Sequence, residues 1–428
     1  MPLHGLNRFV RQFLQAESAG GVLLMIAGAL AMLCANTSLL ADEYHWFLNL
    51  PMVWSVGALT IAKPMVLWIN DGFMSIFFLL VGLELKREIL EGRLSNRPQV
   101  LLPGVAALGG MLVPAVIYTI LNWNDAASLR AWATPTATDI AFALGVLALL
   151  GPRVPTSLKV FLLALAIMDD LGAILIIAIY YTDDLTVTAL YGALGCLSLL
   201  VLLNRMSVTR IAPYAILGGV LWIFVLKSGV HATLAGVAVA LTIPLHPRND
   251  EGKSPLKALE HDLHPLVAFG ILPLFAFANA GVNLQSMDLA MLWDPAPLGV
   301  IVGLFIGKQL GVFGFSWLAI RLGWAQLPRG ATWMTLYGVA LITGVGFTMS
   351  LFISGLAFEQ IGAGDLNSMR LAILIGSLLS ALSGYAMLRW ALRRGGPADV
   401  EMEALQRAIM QRPSAYDPNW RWKIERED

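Results

Sequence analysis

Charge is scarce in this chain. Only 13% of its 428 residues are Asp, Glu, Lys or Arg, whereas soluble domains carry about 25%. Hydrophobic residues make up 57%, and the mean hydropathy is +0.72. A soluble domain of this size would expose far more charge. The composition therefore indicates a membrane protein that crosses the bilayer many times.

Cysteine is also rare, and positive and negative charges balance. Cys34 and Cys196, the two cysteines, lie far apart in apolar stretches. This argues against a disulfide, a zinc site and an iron–sulfur cluster. The formal net charge is +0, so there is no electrostatic attraction to nucleic acid, and no nucleic-acid partner is expected.

The apolar runs predict an all-α polytopic fold, because a helix needs about 20 apolar residues to cross the hydrocarbon core. Twelve transmembrane helices are predicted: 18–36, 65–85, 101–121, 131–150, 157–181, 187–204, 211–226, 229–245, 264–281, 297–319, 335–357 and 371–392. Residues 1–17 precede this domain of residues 18–392, and a polar tail, 393–428, follows it. Within the tail, 398–412 is compatible with a short cytoplasmic helix.

Lysine and arginine separate cleanly by side in this layout. Twenty-three lie on the side of the termini, and four, Lys63, Arg130, Lys227 and Arg370, lie on the other. The positive-inside rule therefore predicts cytoplasmic termini. The long loop 37–64 then lies outside, and its segment 53–63 has strand-like residues on both sides of a glycine, which fits an extracellular β-hairpin.

Five charges lie inside the predicted spans: Asp71, Asp139, Asp169, Asp170 and Lys308. A charge at the bilayer centre costs about 2.5–3.5 kcal/mol on insertion scales, so such residues are functional candidates. The alternative is a paired charge that only fixes helix packing. That alternative has most weight for Lys308 and Asp71 and least for the adjacent aspartates.

Spans four and eleven contain residues that interrupt helices. Pro135 lies in TPTATDIAFALG, and Gly344 and Gly346 lie in LITGVGFTMS. Each interruption falls in the middle span of a triplet, spans three to five and ten to twelve, and the triplets start on opposite sides. Such inverted repeats with matching interruptions are typical of a transporter's binding site. The alternative for the glycines is close helix packing.

The pair Asp169–Asp170 indicates the chemistry. Neighbours on a helix point about 100° apart, so one carboxylate can pair with Lys308 while the other faces a cavity. Carboxylate oxygens bind a proton or a hard cation at the same place. Competition between the two at a site with alternating access would produce proton–cation antiport.

Other membrane classes fit less well. An intramembrane aspartyl protease could use Asp139 and Asp170, but such proteases carry GxGD, and the GVGF here lacks the aspartate. A prenyltransferase would need DDxxD, which fails because Ala173 follows DDLG. A channel is less consistent with broken helices and single acids. We therefore expect a transporter rather than an enzyme.

Several longer motifs resemble one family. They are WINDGFMSIFFLLVGLELKRE at 68–88, ATDIAFALGVLALLG at 137–151, ALAIMDDLGAI at 164–174, LKSGVHATLAG at 226–236, LPLFAFANAGV at 272–282, GKQLG at 307–311 and GVGFTMS at 344–350. From about Gly20 to about Arg393 the chain resembles the bacterial sodium–proton antiporter A family.

The resemblance implies a fold and an activity. Spans four and eleven would be unwound and would cross each other. The protein would lie in the bacterial inner membrane and export sodium, or lithium, in exchange for a larger number of entering protons, without a cofactor. It would form a homodimer through the hairpin at 53–63 and would be regulated by pH.

The resemblance also implies roles for individual residues. Asp169 and Asp170 would carry the ion and the protons, with Thr138 beside the site. Asp139 would balance the charges where the two broken helices cross. Lys308 would pair with Asp169 and take part in proton transfer.

Five further positions match the family's pH-sensing residues: Glu84, Glu88, His231, Lys257 and Glu260. The residues alone favour a simpler interpretation for most of them. Charged side chains at span ends are ordinarily solvated.

Overall fold

The computed structural model describes residues 19–394, apart from residues 58, 93–96, 183–184, 247–251, 253, 286 and 359–362. The predicted segments 1–17 and 398–412 therefore lie outside the described residues. The described chain is mostly helical, as the composition predicts. Its helices are α1 Ala19–Asn36, α2 Ala41–Asn49, α3 Met65–Leu90, α4 Arg97–Leu121, α5 Ala126–Leu129, α6 Ile140–Ala148, α7 Thr156–Tyr180, α8 Val187–Arg205, α9 Ile211–Leu226, α10 Leu234–Thr242, α11 Pro255–Ala280, α12 Pro295–Arg321, α13 Trp333–Ile342, α14 Phe347–Phe358 and α15 Ala363–Arg394.

Eight of the described helices are long and apolar enough to cross a membrane. Helices α13 and α14 add a ninth span when the bent pair is counted as one. The other three predicted spans contain helices below this length, although α9 has the predicted bounds 211–226. They correspond to the 16-residue helix α9, the nine-residue helix α10, and a short 3-10 turn, Thr134–Thr136, followed by α6. The polytopic membrane class is confirmed, and the number twelve remains a prediction.

The structure corrects one local prediction and adds one helix. The eighth span was expected to begin at residue 229, but α10 begins at Leu234, and residues 227–233 form turns instead. The loop 37–64 also contains α2, for which no prediction was made. This helix is amphipathic and buries Tyr44 and Leu48, a pattern too short to stand out beside long apolar runs.

The hairpin prediction is confirmed. Strands β1 Pro51–Val56 and β2 Leu59–Pro64 pair antiparallel, with Pro51 opposite Pro64 and Val53 opposite Ala62. The turn needs a positive φ, which glycine adopts without strain, and Gly57 has φ +60°. We call this end of the molecule the hairpin end. The opposite end, where α3 finishes and α11 begins, is the far end.

The helices pack as two groups. The repeat group contains the predicted triplets, α4 to α7 and α12 to α15, whose members contact mainly each other. The second group contains α1, α3 and α8 to α11, with the close pairs α3–α10 and α1–α11. Helix α6 also packs on α1, so the short helix after the first interruption lies between the groups.

Candidate functional site

The first interruption is built around Pro135. A 3-10 turn covers Thr134–Thr136, the backbone is extended at Ala137, and α6 starts after Asp139. Asp139 caps α6, because its Oδ1 accepts a hydrogen bond from Phe142 N at 2.9 Å. A capping carboxylate stabilises the positive end of a helix.

The second interruption separates α13 from α14 by a bend of 42°. Gly344 and Gly346 lie in the break, and both are needed for close contact. A Cβ on Gly344 would lie 2.3 Å from Leu304 O, and one on Gly346 would lie 3.0 Å from Ala137 O. The glycines therefore serve both interpretations: they end the helix, and they admit neighbouring backbone.

The two interruptions lie against each other and share hydrogen bonds. Asp139 N donates to Val345 O at 2.7 Å, and the Thr138 hydroxyl donates to Thr343 O at 2.9 Å. Asp139 Oδ2 accepts from both Thr348 N, at 3.0 Å, and the Thr348 hydroxyl, at 2.5 Å. One carboxylate thus contacts the N-termini of both α6 and α14, where the partial positive charges of two helices meet.

Lys308 enters this region from α12. It lies between two π-helical segments, Gly303–Gly307 and Gln309–Phe313, which locally widen the helix. Its Nζ lies 2.7 Å from Asp169 Oδ2 and 3.0 Å from the Thr138 hydroxyl. It also donates to Thr136 O, a backbone carbonyl freed by the first interruption. Lys308 and Asp169 have no exposed side-chain surface.

Asp170 is in a different situation from Asp169. Both of its carboxylate oxygens are buried without a hydrogen-bond partner among the described residues. It lines a cavity of ≈ 400 Å³ together with Asp139, Thr348, Glu84 and His264. Glu84 and His264 lie towards the far end, so the cavity extends from the far end to the aspartates. An unpartnered buried carboxylate beside a cavity is well placed to bind a proton or a cation.

The structure brings the predicted ion-binding residues together, but they are not equally free. The Thr138 hydroxyl already binds Thr343 O, and the two carboxylate oxygens of Asp139 bind Phe142 and Thr348. Asp169 keeps one unpartnered oxygen and Asp170 keeps two. In the part of the chain that the structure describes, no group of three or more His, Cys, Asp or Glu side chains could hold a metal ion. Any cation held here would need hydroxyl, carbonyl or water oxygens beside the two carboxylates.

Four of the five predicted pH-sensing residues lie at the far end. Arg87 Nε contacts Glu260 Oε2 at 2.9 Å, and Arg87 Nη1 contacts Glu88 Oε1 at 2.9 Å. Lys257 pairs with Glu91 at 2.5 Å. Together with Glu84, these residues are the far-end cluster: Glu84, Arg87, Glu88, Glu91, Lys257 and Glu260.

Of the four predicted pH-sensing residues at the far end, only Lys257 is exposed, as expected for a solvated charge at a span end. Glu88 is buried, and Glu84 and Glu260 are half-buried. His231, the fifth residue, lies apart from the cluster. Its Nε2 is 4.0 Å from Asp71, which pairs with Lys63 at 2.6 Å near the hairpin. Asp71 therefore fits the alternative that a charge inside a span is paired and serves helix packing.

Sequence reasoning missed two sets of contacts. Thr348 lies in the quoted motif GVGFTMS, and a hydroxyl just after a helix break was the available signal. Asn70 and Asn279 lie in other quoted motifs and form a side-chain pair near the hairpin end. A polar amide inside each of two apolar segments was the signal there.

A family assignment follows from comparison with known proteins. The sequence model of the family described as Na+/H+ antiporter 1 matches residues 11–388. The chain belongs to this family. The residues that line the cavity, both interruptions and the two adjacent aspartates lie within the matched part of the chain.

Curated relatives in this family are similar over nearly their whole length. A protein of Syntrophotalea carbinolica named Na(+)/H(+) antiporter NhaA 1 is 57% identical over 385 residues, which cover 90% of this chain and 97% of the relative. Proteins named Na(+)/H(+) antiporter NhaA from Pseudomonas fluorescens and Rhodospirillum rubrum are each 57% identical. Those matches cover 92% and 93% of this chain, and 98% and 100% of the relatives.

Proposed function

We propose that this chain is a sodium–proton antiporter of the bacterial inner membrane. It exports Na+, and also Li+, in exchange for entering protons, and the exchange is electrogenic. The observation that carries the proposal is Asp170, whose two unpartnered oxygens line the cavity beside the helix interruptions. The names of the 57% identical relatives support the choice of ions.

In the proposed mechanism, Asp170 binds either a proton or a cation from the cavity. Both occupants use the same oxygens, so the arrival of one displaces the other. Lys308 lies beside Asp169 and carries the further proton: it releases this proton when a cation binds at Asp170 and takes one up again when Asp170 is reprotonated. Asp139 compensates the partial positive charges of two helix N-termini, and three hydrogen bonds to its carboxylate hold it there.

The proposed topology has twelve spans, with spans four and eleven broken and crossing at their interruptions. Both termini lie in the cytoplasm, so the far end faces the cytoplasm and the hairpin end faces outside. The distribution of lysine and arginine supports this orientation. The far-end cluster, which lies beside the cavity entrance, would adjust exchange to cytoplasmic pH.

Homodimer formation through the hairpin is a separate part of the proposal. Val53 and Trp54 on β1 are exposed, and a two-stranded sheet with exposed apolar residues has free edges for pairing. Deleting residues 53–63 should convert dimers to monomers in native mass spectra. A dimer that persists after the deletion would place the interface elsewhere.

An aspartyl protease remains the alternative function, but the site opposes it. A protease would need both Asp139 and Asp170 free to act as acid and base. Asp139 instead uses both oxygens in hydrogen bonds to Phe142 and Thr348.

The test is sodium-driven proton movement in vesicles that contain the purified protein, followed with a pH-sensitive dye. We expect a response to Na+ and Li+ but not to K+, from mildly acidic to mildly alkaline pH. An absence of any response from correctly inserted protein would overturn the proposal, and a peptide-cleavage assay would then test the protease alternative.

A further inference from the structure

Among the described residues, those that line the cavity at Asp170 lead from this site towards the far end. Its lining includes Glu84 and His264 on the far-end side of the aspartates. An antiporter must also open to the other side, so something has to close the hairpin end in this conformation. The polar contacts at that end are candidates for this closure.

Asn70 and Asn279 form a reciprocal amide pair at the hairpin end. Asn279 Nδ2 donates to Asn70 Oδ1 at 2.8 Å, and Asn70 Nδ2 donates to Asn279 Oδ1 at 3.3 Å. Asn279 is 3% exposed and also donates to Phe275 O at 3.0 Å, so its amide is well satisfied inside the protein. This pair joins α3 to α11, two helices of the second group.

Arg370 connects this pair to the repeat group. Its Nη2 lies 3.5 Å from Asn279 Oδ1, and it belongs to α15. Tyr44 of α2 lies nearby, with its hydroxyl donating to Phe277 O at 2.7 Å. Burial raises the pKa of Tyr44 to about 12, and the positive charge of Arg370 opposes that rise. The tyrosine therefore stays neutral beside the guanidinium.

An aromatic contact lies between these polar groups and the aspartate site. Phe352 is on α14, one turn beyond Thr348. Its ring centroid lies 5.4 Å from those of Phe78 and His231 and 6.2 Å from that of Phe275. Phe78 and Phe275 belong to helices of the second group, and His231 lies in the turn before α10. Phe352 thus fills the hairpin side of the site with apolar surface from both groups.

We propose that the Asn70–Asn279–Arg370 contact, with Phe352 beneath it, closes the hairpin end of the transport path. The inference rests on the proposed antiport function, because only a transporter needs the site to open at both ends. Opening to the hairpin side would separate α15 and α14 from α11, which breaks the Arg370–Asn279 contact and withdraws Phe352. Weakening the contact should therefore increase the fraction of molecules open at that end.

The experiment measures access to a reporter thiol from the hairpin side. Cys34 and Cys196 are replaced by alanine, and Ser354→Cys is introduced in α14, where Ser354 is fully buried. A membrane-impermeant methanethiosulfonate reagent carrying a quaternary ammonium group is added to right-side-out vesicles. The rate of labelling then reports how often the hairpin end opens. Ala357→Cys, at a second buried position of α14, serves as an independent reporter.

The test variants are Asn279→Ala and Arg370→Gln, and the matched control is Asn122→Ala. Asn122 is also a buried amide at the hairpin end, 1% exposed, and it donates to Tyr118 O and Pro295 O. It joins α4 to α12 within the repeat group, so losing it does not release one group from the other. We expect labelling about five- to tenfold faster in the test variants, as the loss of one or two buried hydrogen bonds would produce, and unchanged labelling in the control.

The double variant Asn70→Ala with Asn279→Ala should label no faster than Asn279→Ala alone, because Asn279→Ala already removes the contact that Asn70 makes with Asn279. Labelling that is unchanged in the test variants, or equally faster in Asn122→Ala, would overturn the closure. Labelling does not depend on transport. Faster labelling of the test variants, in a protein that gives no sodium-driven dye response, would therefore support the closure and contradict the antiport function. A normal dye response with unchanged labelling would contradict the closure and leave the antiport function in place.

Discussion

The region of the two helix interruptions and the far-end cluster both gather charged side chains, but in opposite surroundings. Lys308 and Asp169 have no exposed side-chain surface, whereas Arg87 and Lys257 expose 32% and 51% of theirs. A buried pair cannot exchange its partner for water, so its energy depends on a complete set of contacts. In a partly exposed pair, water can replace either partner, and the energy of the pair depends on the salt concentration.

This difference in burial explains why the region of the interruptions suits ion binding and the far-end cluster suits regulation of exchange by pH. At the interruptions, the side-chain oxygens of Thr138, Asp139 and Thr348 form hydrogen bonds, and the unpartnered carboxylate oxygens belong to Asp169 and Asp170. A proton or cation arriving there meets a fixed set of oxygens. In the far-end cluster, Arg87 bridges Glu88 and Glu260, and Lys257 bridges to Glu91, so protonation of one acid can redistribute several contacts.

The largest expected effect comes from removing the free carboxylate. Asp170→Asn should abolish sodium-driven proton movement while leaving the protein inserted, because an amide cannot exchange a proton at this place. Asp125→Asn is the matched control, since Asp125 is an exposed helix cap at Ala127 N, 3.1 Å away, and asparagine caps as well. Undiminished transport in Asp170→Asn would remove Asp170 from the proposed mechanism.

Removal of the buried lysine tests the comparison directly. Lys308→Ala should lower stability by about 3–5 kcal/mol, because it leaves Asp169 buried without its partner. Lys257→Ala should cost less than about 1 kcal/mol, because water replaces the lost contact. Melting temperatures in detergent would measure both. Adding Asp169→Asn to Lys308→Ala should recover part of the loss, and equal effects of the two lysines would contradict the assigned difference.

The hydroxyl of Thr348 provides an intermediate case. Thr348→Val should cost about 1–3 kcal/mol, because Asp139 Oδ2 loses a buried donor, whereas Thr348→Ser keeps the donor and should stay close to the parent. Thermal unfolding distinguishes them. Because valine keeps the methyl group of threonine, a valine variant as stable as the parent would show that the hydrogen bond to Asp139 is not stabilising.

The smallest effect is expected in the far-end cluster. Arg87→Gln should lower stability by about 1 kcal/mol, near the upper end for partly exposed ion pairs. Raising the ionic strength from about 0.1 M to about 1 M should reduce the difference between the two proteins, because salt screens exposed charges. The penalty of Lys308→Ala should hardly change with salt. A salt-independent penalty for Arg87→Gln would mean that this pair behaves as a buried one.

Several features could be predicted from local patterns in the chain. The hydrophobic runs predict the long helices, Pro135 and Gly344 predict interruptions, and Gly57 predicts the hairpin turn. These signals act over a few residues, since backbone hydrogen bonds and φ angles are local. The expected start of the eighth span at residue 229 was wrong for the same reason, because apolar residues in turns look the same as apolar residues in a helix.

Local patterns in the chain are enough to predict the membrane class, the aspartates inside the spans and the places where two helices break. They do not predict that Lys308 contacts Asp169, 139 positions away, or that Asp139 contacts Thr348, 209 positions away, because these contacts depend on how the helices pack. Nor do they predict that Asp170 keeps its oxygens free. Adjacent residues on one helix share composition and depth, and what separates them is the direction about 100° apart in which they point. Which direction meets a lysine and which meets a cavity depends on the packing of helices that no local pattern encodes.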